Sequence, residues 1–123
     1  MTQEMIAYYA QRAAEYERTF PVLARSRIGG VSLECAGSRV PIALIGLLGD
    51  KDVLVGAVDV ATDRVETPEE VAAVIRAAMA HVPAERIFPC TNCGMVPLSR
   101  AVARGKLQAL GAGAALVRRE LGR

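Results

Sequence analysis

The chain has 123 residues, 52% of them hydrophobic, with three cysteines, no tryptophan and a formal net charge of +2. That is enough apolar material for one domain with a modest core, and too much for a disordered chain. Charges of both signs are interspersed without a basic block, and no apolar run reaches membrane-spanning length, so neither nucleic acid nor a membrane is an expected partner. The odd cysteine count argues against a secreted disulfide scaffold, and the acidic-polar start Met1-Thr2-Gln3-Glu4 is unlike a secretory signal. A cytoplasmic, reducing setting is expected.

Residues Thr2 to Phe20 read as an amphipathic helix. Ile6, Tyr9, Ala13, Tyr16 and Phe20 recur at three- and four-residue steps, and Pro21 is expected to end the pattern. Such a helix packs on the body of a domain or, alternatively, pairs with a copy of itself. Val31 to Cys35 then reads as a short strand ending in a carboxylate and a thiol, followed by the loop Ala36 to Arg39. Pro41 can open a helix, and Ile42 to Leu48 continues it as a very apolar segment closed by Gly49.

Val53 to Val58 is a continuous apolar run that ends in Asp59. Such runs suit parallel strands buried on both faces. Thr67-Pro68-Glu69-Glu70 is a helix start with Thr as N-cap, Pro in the first turn and Glu three residues after the cap. Val71, Val74, Ile75, Ala78 and Met79 supply its buried stripe. His81 is expected in its last turn, where a cation complements the helix dipole. A metal-ligand role is the lesser alternative there. Arg86 to Cys90 reads as a third strand. Ser99 caps a final helix whose stripe is Leu98, Val102, Leu107, Leu110, Ala114, Val117 and Leu121, with Gly105, Gly111 and Gly113 allowing close packing. A helix followed by three strand–helix units implies an α/β fold with parallel strands and right-handed crossovers.

Each strand ends in a residue able to do chemistry: Glu34 and Cys35, then Asp59, then Cys90 and Cys93. Parallel pairing puts those ends on one edge, where open α/β sheets and β/α barrels build sites. Carboxylate and thiolate both coordinate zinc. Each residue also has a plainer explanation. Glu34 can pair with Arg39, Asp59 can cap the following loop, and Cys35 can be core. Gly94, after Cys93, would let the backbone turn tightly. A Cys90-x-x-Cys93 redox pair is a further possibility, weakened because such pairs usually open a helix and this one precedes Pro97 and Ser99.

The blocks Val31-Ser32-Leu33-Glu34-Cys35, Asp50 to Gly56, Val65 to Val71, and Pro83-Ala84-Glu85-Arg86 leading to Asn92-Cys93-Gly94 occur in the order found in the cobalamin-independent methionine synthase family. From about residue 28 to the end the chain resembles the C-terminal part of that family. The resemblance implies the last three β/α units of a TIM-type barrel (residues 21–123), preceded by a helix (residues 1–20) outside the family pattern. It also implies zinc-dependent methyl transfer from a methyl-folate to the thiol of homocysteine, in which the metal lowers the thiol's pKa. By the same resemblance Glu34 and Cys93 take two zinc-ligand positions, and Asp59 takes an acidic position at the end of the penultimate strand. Cys90 and Cys35 are left as neighbours of the metal shell.

The chain departs from the family in three respects. The strand bearing the family's His-x-Cys pair would precede Val31 and has no counterpart here. The family's histidine two residues after the acidic position is Ala61. Three strands cannot close a barrel. The expectation is a piece that is inactive alone, needing a second copy or a complementing barrel fragment. A non-catalytic remnant, or a small thiol-redox or zinc-binding module, is the alternative.

Overall fold

The computed structural model describes residues 2–123. Met1, the first residue of the expected segment 1–20, lies outside the described residues. Helix α1 (Gln3–Ala24) leads, followed by strand β1 (Gly30–Leu33), a 3-10 turn (Ala36–Ser38) and a 3-10 helix (Ile42–Leu48). Strand β2 (Asp52–Val58), helix α2 (Pro68–Met79), strand β3 (Ile87–Thr91) and helix α3 (Arg100–Glu120) complete the chain. The strands form one parallel sheet in the order β1-β2-β3, as the alternating pattern predicted.

Local chemistry explains most boundaries. Thr67 and Glu70 close a reciprocal capping box, with Thr67 Oγ1 accepting from the Glu70 N–H at 3.1 Å and the Glu70 carboxylate accepting from the Thr67 N–H at 2.8 Å. The Ser99 hydroxyl accepts from the Val102 N–H at 3.2 Å and opens α3. Three expectations change. The helix expected to stop at Pro21 runs on to Ala24, and the added turn packs Leu23 against the core beside the buried Phe20. The segment after Pro41 is a 3-10 helix. His81 lies exposed beyond the C-cap of α2 rather than in its last turn.

The core sits on one side of the sheet. The rows Val31–Val53–Ile87 and Leu33–Val55–Pro89 face the helices, with Val53 and Val55 fully buried. Between them the row Ser32–Leu54–Phe88 points the other way, and Leu54 and Phe88 are 37% and 47% exposed. The expectation that β2 is buried on both faces is therefore corrected. Its first half alternates, because among the described residues nothing covers Leu54 on the second face.

On the covered side α2 and α3 pack together. A Cβ on Gly113 would come within 2.6 Å of Val71 and 2.7 Å of the Pro68 carbonyl, so only glycine permits this approach. The buried stripe of α3 runs Lys106, Ala109, Gly113, Val117, while Leu107 and Leu121, expected in it, are exposed. The stripe is rotated by about one residue, which brings a lysine inward. Along α1, Tyr16 stacks on Phe20 at 5.2 Å, whereas Ile6 is 48% exposed. The C-terminal half thus anchors the helix through Phe20, and in the N-terminal half Tyr9 and Arg12 border the end of β1. No helix among the described residues is long and apolar enough to cross a membrane.

Candidate functional site at the C-terminal rim of the sheet

The strand-end residues singled out in the sequence fall at the C-terminal ends of parallel strands, whereas His81 lies away from this rim, after α2. Glu34 follows β1, Asp59 follows β2, Cys90 lies in β3 and Cys93 two residues beyond it. Glu34 and Cys93 are exposed, Asp59 and Cys90 half-buried, and Cys35 buried. At this rim β2 carries an extra residue between the pairs Gly56↔Cys90 and Val58↔Thr91, a bulge that re-aims the chain just before Asp59.

Asn92 holds the three strand ends together. Its backbone N–H donates to Val58 O at 2.9 Å, its Nδ2 donates to Ala36 O at 3.0 Å, and its Oδ1 accepts from the Ala36 N–H at 3.2 Å. Gly56 makes room for it: a Cβ there would collide with Asn92 Oδ1 and come within 2.8 Å of Leu33 O. Gly94, expected to serve a tight turn, has no positive φ and nothing within 4 Å of a Cβ position.

Arg39 pairs with Asp59 at 3.0 Å rather than with Glu34. Partial burial works against the Arg39 charge, but Tyr9 and Asp59 outweigh it and hold the guanidinium above its ordinary pKa. Asp59 Oδ1 also accepts from the Ala61 N–H at 2.9 Å, the loop-capping role expected of it. Burial, and secondarily the neighbouring Cys90, push the Cys35 thiol up to about 11. Burial raises Cys90 as well, against an opposing hydrogen bond with Ser32. Both are therefore poor thiolates at neutral pH, and Cys35 belongs to the core. A cleft of about 470 Å³ runs between α1 and the end of β1, where Tyr9, Arg12 and Tyr16 face Glu34 and Arg39.

Glu34 and Cys93 are a carboxylate and a thiol, the donor types zinc takes. Among the described residues, however, no three of His, Cys, Asp and Glu stand close enough to hold one ion. A zinc site open to substrate needs three protein ligands, so these residues do not by themselves fit the metal.

Sequence reasoning gave no role to Asn92, Glu66 or Lys106. Asn92 and Glu66 lay within quoted blocks. Lys106 was detectable as the one charge on the spacing Val102, Lys106, Ala109, Gly113, Val117.

The family described as "Cobalamin-independent synthase, Catalytic domain" matches residues 13–115, a span that begins inside α1. Methionine synthase of Thermococcus kodakarensis is 46% identical over 68 residues, covering 55% of this chain and 20% of that protein. The 2-hydroxypropyl-CoM lyase of Xanthobacter autotrophicus is 44% identical over 66 residues, covering 54% of this chain and 18% of that protein. The solved structure of a B12-independent methionine synthase from Shewanella sp. W3-18-1, in complex with selenomethionine, superposes with a TM-score of 0.84 at 56% identity, over 87% of this chain and 31% of that one. The chain thus spans between about a fifth and a third of the length of these relatives. With its parallel strand ends, its Asn92-Cys93 rim and a match over residues 13–115, the chain belongs to the cobalamin-independent methionine synthase catalytic-domain family.

Proposed function

We propose that residues 21–123 are the last three β/α units of a methionine-synthase-type barrel, preceded by helix α1, of which residues 13–20 already lie within the family match. On this reading Glu34 and Cys93 are half of a zinc ligand set whose other members come from strands outside these residues. The observation that carries it is the uncovered Ser32–Leu54–Phe88 row beside a rim where Glu34 and Cys93 are both exposed. An inward barrel face and a catalytic rim have this relation. Among the described residues the outer edges of β1 and β3 have no partner strand, which supports completion by further strands.

The chain by itself is then silent, and joins in methyl transfer from a methyl-folate to homocysteine only when complemented. Asp59, paired with Arg39, is the acidic group the chain adds to the rim. The redox-pair reading is disfavoured, because burial raises Cys90 and α3 begins only at Arg100. The relatives named methionine synthase and 2-hydroxypropyl-CoM lyase are nearly equally similar, so the reaction class must be tested directly.

The test mixes the chain with a relative's methionine synthase truncated before its matching segment, and follows methionine formation, bound zinc and mass in solution. The expected result is zinc and activity in the mixture only, lost with Cys93→Ser and kept with Cys90→Ser. Loss with Cys90→Ser instead would overturn the ligand assignment. Stoichiometric zinc in a homodimer of the chain would transfer the role of complement to a second copy. A zinc-free monomer that restores nothing would make this a non-catalytic relative.

A further inference from the structure

We propose that Lys106 and Glu66 are positioning residues, a buried clamp that holds Asp59 and the loop after β2 in place at the rim. The inference deepens the functional reading above and rests on it for what that rim does. Glu66 Oε2 accepts from the Asp59 N–H at 2.7 Å, and Lys106 Nζ donates to Asp59 O at 2.8 Å. The two groups pair with each other at 2.8 Å. One ion pair therefore holds both backbone polar groups of a single residue.

Lys106 Nζ also donates to Arg64 O, so the clamp reaches the far end of the same loop. An ammonium has three donors, and all three are used, by Asp59 O, Arg64 O and Glu66 Oε1. Lys106 is 0% exposed and Glu66 8%. A buried ion pair contributes little stability over an apolar pair of the same volume, because desolvation offsets the attraction. What this pair adds is geometry. Its partners are the backbone groups of residues 59 and 64, not other parts of the core. With its backbone held, Asp59 presents its carboxylate to Arg39 at 3.0 Å and to the Ala61 N–H at 2.9 Å.

The sequence places these partners far apart. Lys106 lies on α3, 47 residues from Asp59. The helix that follows β3 thereby sets the loop that follows β2, so the last two units of the fold act together at the rim.

The experiment is amide hydrogen exchange on the isotope-labelled chain, for wild type, Lys106→Met and the double variant Lys106→Met/Glu66→Gln, which leaves no lone buried charge. Exchange at Asp59 and Ala61 is expected to rise by about tenfold or more in both variants, with the β2 and α2 core amides within about threefold of wild type. A parallel rise at all amides, no rise at Asp59 and Ala61, or unfolding of both variants would overturn the inference. In the complemented assay, the folded double variant is expected to lose turnover while zinc content stays unchanged. Full activity there would also overturn it. If wild type fails to complement, the functional reading fails, and the exchange pattern alone decides the clamp.

Discussion

Replacing Asn92 with Ala tests whether the strand ends are held as described. The side chain makes two hydrogen bonds to Ala36, at 3.2 Å and 3.0 Å, and Ala36 is 6% exposed. Truncation leaves a buried N–H and a buried C=O without partners, at roughly 1–3 kcal/mol each. The space beside Gly56 adds a small cavity, so a loss of about 3–4 kcal/mol is expected, out of the 5–15 kcal/mol typical of a domain. Asn92→Asp separates geometry from charge. A protonated carboxyl can still donate to Ala36 O, whereas an ionised one cannot. Burial and that carbonyl favour the neutral form, so the folded-state pKa of the new carboxyl rises above its unfolded value of about 3.9. The folded state then binds more protons across the interval between the two values, and stability falls as pH rises through it. Urea unfolding of wild type and both variants at pH 4.5 and pH 7 checks this. A cost under about 1 kcal/mol for Asn92→Ala, or an Asn92→Asp variant closer to wild type at pH 7 than at pH 4.5, would refute the reasoning.

Four further outcomes are expected. Gly113→Ala should destabilise by about 1–2 kcal/mol, since crowding against Val71 and Pro68 exceeds the gain in helix propensity. Gly111→Ala, with nothing within 4 Å, should stabilise by up to about 1 kcal/mol, and denaturation midpoints moving in the same direction would contradict the α2–α3 packing. The buried Cys35 thiol is raised from 9.0 to about 11, so its contribution is complete below pH 9 and is lost as pH rises toward 11. Unfolding curves of Cys35→Ala should lack that alkaline loss, and an equal loss in the variant would assign it elsewhere. Phe88→Glu, on the uncovered face, should shift the stability of the chain by less than about 1 kcal/mol yet block complementation; equal complementation would argue against barrel closure over that face.

Strand–helix alternation, capping signals and the strand-end residues were legible because they depend on neighbours a few positions apart. Thr67-Pro68-Glu69-Glu70 carries its own hydrogen-bond partners, and it closes the expected capping box. Periodicity failed where the answer depended on a distant surface. Leu107 looked like core, but Val65 and Val71 crowd against Gly105 and Gly113, which turns Lys106 inward instead. Pro21 looked like a terminus, but packing Leu23 against the core favours one more helical turn. The apolar run of β2 looked doubly buried, and only the assembled sheet shows Leu54 exposed on its second face.

The amino-acid sequence by itself determined the α/β class, the parallel order of three strands and the arrival of Glu34, Asp59, Cys90 and Cys93 at one rim. Alternation and handedness leave few other ways to connect such elements. It also carried the family resemblance, which lies in ordered local blocks. Tertiary structure alone decided that Arg39 pairs with Asp59, that Asn92 joins Ala36 to Val58, and that Lys106 reaches Asp59, Arg64 and Glu66. Those contacts join residues up to 56 positions apart. Their formation depends on burial and on the distance between packed elements, quantities that no spacing along the chain records.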